Sequence, residues 1–205
     1  AQAALVKPEN KRKVEEIATE FATYNKDFAK VATLKQEQIK ITKEVLDPSG
    51  GKLLADFEEL QTLAAKTGNS NMLTLAGEGL KHVMLARLNV NKLLGRHEQS
   101  AADGAEKAFA DLKLVMSGLE PAIRTGDARK LFDEIKSLID KYSDGFHRAA
   151  AQAHEIEELV NGEMKKISAS IAANAAAVKE SALATAQSEE HAAQSLISSV
   201  EFTIM

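Results

Sequence analysis

Apolar side chains return at steps of three and four residues through the first part of the chain: Val14, Ile17, Phe21, Tyr24, Phe28 and Val31, with Ile39, Val45 and Leu46 further on. A strand turns alternate residues to one side, whereas a helix returns to the same face every three or four, so this spacing is helical. A stripe sustained this long is the packing seam of a helical bundle or coiled coil. Only Pro8, Pro48 and Pro121 interrupt the 205 residues, so long helices are allowed. Aromatic residues are 4% of the chain, and a core of Leu, Ile, Val and Ala suits helices packed side by side better than a sheet. The expected fold is all-α: an elongated antiparallel helical bundle of two stacked helical modules that share long helices.

Punctuation divides the stripe into segments. The first helix is expected over about 8–46, with Pro8 in its first turn, and Asp47-Pro48-Ser49-Gly50-Gly51 reads as a turn that ends it. A short helix follows with Leu53, Leu54, Phe57, Leu60 and Leu63, up to a break at Thr67-Gly68-Asn69-Ser70. A third helix is expected over about 71–119, bent near Asp103-Gly104, and Pro121 and Gly126 mark the next turn. From about residue 127 to the end there is no cluster of proline or glycine. At about 1.5 Å per residue that last helix would exceed roughly 100 Å.

A shift of 118 residues lays 4–28 on 122–146. Ala4/Ala122, Glu16/Glu134, Ile17/Ile135, Tyr24/Tyr142 and Phe28/Phe146 are identical, and Val14/Phe132 and Phe21/Ile139 are similar. A long helix over 71–119 precedes the second copy and offers it a packing partner. The first copy has no such partner, so a helix before Ala1 is expected in the intact domain.

Several chemistries are excluded. The net charge of −4 is spread along the chain, whereas a nucleic-acid groove needs clustered basic residues. With no cysteine there is no disulfide, thiolate metal site or cysteine nucleophile. His147 and His154 share a helix face, but nothing acidic completes a metal set, and His82 and His97 stand apart. No glycine-rich phosphate loop follows a strand and no Ser/His/Asp arrangement can be placed, so neither an enzyme nor a cofactor is expected. No stretch of about 18 apolar residues spans a membrane, and there is no signal peptide. Both ends nonetheless read as cut, as in an excised piece flanked by transmembrane helices.

Three motifs carry a family resemblance. Tyr24-Asn25-Lys26-Asp27-Phe28 lies within a long helix, Tyr142-Ser143-Asp144-Gly145-Phe146 repeats it, and Met84-Leu85-Ala86-Arg87-Leu88-Asn89-Val90-Asn91-Lys92-Leu93-Leu94 lies on the helix between. On these the chain resembles the helical bimodular sensor domains of bacterial chemoreceptors, over nearly its whole length. The resemblance implies a periplasmic domain of an inner-membrane protein. It implies two helical modules able to hold small organic acids, and a last helix that carries the signal to the membrane. The modules would be 1–70 with 168–205 nearer the membrane, and 71–167 farther from it. The family's first helix, whose arginines hold the acid, has no counterpart here.

Arg87 is the first candidate for ligand binding. Leu80, Val83, Val90 and Leu94 surround it at helical spacing, and a guanidinium on a buried stripe needs a partner. A ligand carboxylate would accept two parallel hydrogen bonds from it; a Glu or Asp across the bundle, or water, would serve equally. Asn91, one turn later, adds a donor, and Tyr142 and His147 are candidate pocket walls. The alanine- and serine-rich stretch 168–194 suits a narrow signalling stalk or a homodimer contact. Two other functions fit the same sequence: the ectodomain of a sensor histidine kinase of this architecture, and a structural bundle that binds nothing.

Overall fold

The computed structural model describes residues 7–123 and 126–204, with side chains to residue 198. Ala4 and Leu5 of the repeat therefore lie outside the described residues. Those residues are helical and contain no strand, as the all-α bundle expectation requires. The helices are α1 (Pro8–Ile41), α2 (Asp47–Thr67), α3 (Ser70–Arg96), α4 (Ala101–Leu119), α5 (Gly126–Glu157) and α6 (Lys165–Ile204). Two π-helical segments, Thr42–Leu46 and Glu158–Met164, join α1 to α2 and α5 to α6. No described helix is long and apolar enough to cross a membrane.

Two expectations about breaks are corrected. The expected turn at 47–51 is helix. Pro48 has no N–H and its ring clashes with the carbonyl four residues back. The helix widens just before it, so that the Asp47 N–H bonds the Thr42 carbonyl, and continues with proline in the first turn of α2. Conversely, the expected single helix over 71–119 is two. His97 takes the left-handed conformation (φ 57°), with His97 N–H on Leu93 and Glu98 N–H on Lys92, which closes α3. Gly104, the expected bend, lies inside α4, where Asn89 packs on it.

The chain forms two compact units, Ala1–Ala32 with Glu157–Met205, and Thr33–Ile156. These differ from the expected modules, because α2 packs on α3 instead of with the terminal segments. The larger unit is a four-helix bundle of the 33–67 run, α3, α4 and α5. Neighbours pair antiparallel: Phe57 fits against Gly79 and Arg87 against Gly50, while Leu75 meets Gly118 and Asn89 meets Gly104. The Phe109 ring lies 5.8 Å from Tyr142 and 5.5 Å from Phe146, and α5 closes the ring by laying Gly145 on Val45 and Leu46. Gln38 Nε2 donates to the Ala149 carbonyl at 3.2 Å on the same seam. The core so enclosed includes Leu53, Phe57, Leu60, Val83, Leu93, Leu112, Leu119, Ile135 and Phe146. At about 25 cal/mol per Å² of buried apolar area, such residues drive the fold.

The smaller unit pairs α1 antiparallel with α6. Its seam is polar: Asn10 Nδ2 donates to Ser181 Oγ (3.0 Å), Ser170 Oγ to Glu20 (2.6 Å) and Asn174 Nδ2 to Glu16 (3.4 Å).

Candidate ligand site at Arg87 and Tyr142

Arg87 sits mid-way along α3, whose start is fixed by Asn69. The Asn69 side chain accepts from Met72 N–H at 3.1 Å and donates to the Ala122 carbonyl at 2.7 Å. Val83, Ala86 and Val90 turn inward beside it, which leaves Arg87 half-buried at the rim of the core. Its stem lies over Gly50 of α2, where a Cβ would come within 3.1 Å of Arg87 Cδ and Nε and 2.9 Å of Tyr142 Cε2. Gly50 is thus the floor on which the guanidinium stem and the phenol ring meet. Any larger residue would push them apart. Among the described residues, the Arg87 guanidinium has no ion-pair partner, and neither it nor the Tyr142 hydroxyl makes a hydrogen bond.

Tyr142 is 3% exposed. Burial pushes its hydroxyl above the usual phenol range, Arg87's positive charge pulls the other way, and Asp47's negative charge adds to the rise. The phenol therefore stays protonated and remains a hydrogen-bond donor. A guanidinium fork and a permanent O–H donor, on side chains that pack over the same glycine, are each able to donate to a carboxylate.

The other two candidates lie elsewhere. Asn91 is exposed one turn beyond Arg87, in a cleft of about 480 Å³ lined also by Lys35, Gln38, Thr42, Asp47 and Leu94. Asp47 links that cleft electrostatically to Tyr142. His147 is exposed and its Nε2 lies 2.8 Å from Glu106 of α4, so it serves a surface contact between α4 and α5 and not the Arg87–Tyr142 pair. Among the described residues no three His, Asp or Glu side chains are placed to hold a metal ion.

Sequence reasoning missed two buried polar groups on α2. Ser49 is 2% exposed, one residue before Gly50, and its hydroxyl lacks a partner among the described residues. Asp56 is 1% exposed and pairs with Lys52, which also reaches Glu134 at 3.2 Å. Both fall on the stripe that continues through Leu53, Phe57 and Leu60. Extending that stripe backwards through 49 finds Ser49 once 47–51 is helix; Asp56 was within reach even from the shorter one. No protein-family model, curated protein or solved structure matches this chain.

Proposed function

We propose that this chain is the periplasmic ligand-sensing domain of a transmembrane chemoreceptor, and that it binds a small organic acid between Arg87 and Tyr142. The observation that carries this reading is the half-buried Arg87 guanidinium, left without an ion pair beside a phenol that burial keeps protonated. A cation at the edge of a core costs free energy unless something pairs with it, and a ligand carboxylate is such a partner. The site also has a mechanical outlet. Tyr142 belongs to a helical run that continues through the π-helical segment Glu158–Met164 to Ile204. A ligand that draws α3 and α5 together shifts that run, and differential affinity for the two positions is the signal. The chain acts by binding, with no catalytic step.

The test is thermal-shift and calorimetric titration with small mono-, di- and tricarboxylic acids. An acid present at a hundred times its Kd adds about 2.7 kcal/mol of stability. Arg87→Ala is expected to abolish the response, and Tyr142→Phe to weaken affinity roughly tenfold through one lost hydrogen bond. If no acid stabilises the chain, or if Arg87→Ala binds as the parent does, the reading fails. The sensor-kinase ectodomain and the structural bundle then take its place.

A further inference from the structure

The two wide helical turns of this chain differ in cause. At Thr42–Leu46 the helix widens just ahead of Pro48, which accounts for it. No proline lies in or near Glu158–Met164, since Pro121 is the last in the chain. Its cause lies in which side chains are buried. Leu159 and Met164, five residues apart, are 7% and 6% exposed, while Val160 is 40% exposed. In an α-helix five residues span about 500°, which sets two side chains on different faces; a turn bonded from i to i+5 brings them onto the same one. The Asn161 side chain donates to Glu157 at 2.6 Å, and the Lys165 N–H bonds the Gly162 carbonyl as a tight turn that closes the wide one.

The sequence also offers a second register. Ala153, Ile156, Val160, Met164, Ile167 and Ile171 follow one another at steps of three and four. At about 100° per residue, an unbroken α-helix sets all six within a sector of about 80°, with Val160 inside and Leu159 turned aside. Leu159 and Val160 thus compete for one place. We propose that Glu158–Met164 is a two-position joint, with a wide register that buries Leu159 and an α register that buries Val160. The two differ by one residue of helical phase, about 100°. Within the smaller unit, the exchange turns Ser170 and Asn174 away from Glu20 (2.6 Å) and Glu16 (3.4 Å) of α1, so those two hydrogen bonds belong to the wide register alone. The larger leucine and these bonds favour the wide register, and the better backbone geometry of an α-helix favours the other. A small bias then moves the population. The joint acts whether or not Arg87 holds an acid.

Relaxation-dispersion NMR of the backbone amides of the full chain tests it. Exchange between two states is expected at residues 158–164 and at Ser170 and Asn174. Leu159→Ala removes the side chain that holds the wide register, so the α population is expected to rise at least roughly tenfold. Val160→Ala is expected to lower it. Ser170→Ala with Asn174→Ala lies beyond the joint, and is expected to raise it about tenfold through two lost hydrogen bonds. Deleting Asn161 leaves Leu159 and Met164 four apart, which an α-helix accommodates. Exchange is then expected to vanish while circular dichroism keeps its helical signal. Should Leu159→Ala lose that signal, the deletion and the Ser170 and Asn174 pair decide. No exchange in the parent, exchange that survives the deletion, or the same shift from Leu159→Ala and Val160→Ala overturns the proposal.

Discussion

The two copies of the internal repeat have nearly the same stripe and opposite surroundings. Phe146 is 1% exposed and Phe28, its counterpart, is 59% exposed; Ile139 is 3% exposed and Phe21 is 57%. Local sequence does not account for the contrast, since both stretches are helical and both carry Tyr-x-x-x-Phe. The neighbours account for it. In the larger unit α5 meets Phe109 of α4 and the π-helical segment carrying Val45 and Leu46, both apolar. In the smaller unit α1 meets α6 through Asn10, Glu16 and Glu20, and the aromatic row is left to one side. An amphipathic stripe states that a helix needs cover. It does not state which helix provides it.

The strongest way to break this comparison is to truncate both members of one repeat pair. Phe146→Ala is expected to cost about 3–5 kcal/mol in urea denaturation, because it leaves a cavity beside Phe109. Phe28→Ala at concentrations where the chain is monomeric is expected to change stability by no more than about 0.5 kcal/mol. Equal losses would mean that the two rows are equally buried. Neighbouring glycines give a smaller and opposed pair. Gly51 has nothing within 4 Å of an added Cβ, so Gly51→Ala is expected to stabilise the larger unit by up to about 1 kcal/mol through helix propensity. Gly50→Ala places a methyl against Tyr142 and Arg87, and is expected to lose about 1–2 kcal/mol and to disturb acid binding. If both alanines stabilise alike, the close approach at Gly50 is wrong.

The smallest expected effect is alkaline. The hydrogen bond to Asp56 raises Lys52 above its ordinary value of 10.5, against an opposing desolvation, and Glu134 adds to the rise. A base held more tightly in the folded state contributes stability in full below its unfolded value and loses it as pH rises through the folded one. The larger unit is therefore expected to weaken above about pH 10.5. Lys52→Met should make that part of the stability curve less steep in melts from pH 9 upward, and leave the fall above about pH 10 that comes from Tyr142, which burial also holds protonated. The ion pair Arg12–Glu16 of the smaller unit is exposed on both sides, and its removal is expected to leave the alkaline slope unchanged.

Much of this was legible from periodicity. The stripes predicted helices, and the starts at Pro8 and near residues 70 and 126 follow proline, asparagine and glycine signals. Arg87 and Tyr142 stand out in the sequence because one carries a charge at a buried spacing and the other repeats Tyr24. Their shared place over Gly50 was not readable, since it depends on a third helix. Gly50 itself reads as a turn residue, because Pro-Ser-Gly-Gly in isolation favours one. His147 and Asn91 looked like neighbours of the pair because helical spacing resolves faces only coarsely, and the structure turns them to Glu106 and to the Asp47 cleft.

Residue order alone determined that this chain is helical, where its apolar rows lie and which polar groups intrude on them, because backbone sterics and the 3.6-residue period act within a few residues. Tertiary structure decided the rest. Packing carried the helix through Pro48 and Gly50, since the register gained there seats Val45 and Leu46 on Gly145 and brings Arg87 to Tyr142. Packing also buried Phe146 and left Phe28 exposed, because burial is a property of what surrounds a side chain, and distant segments supply that.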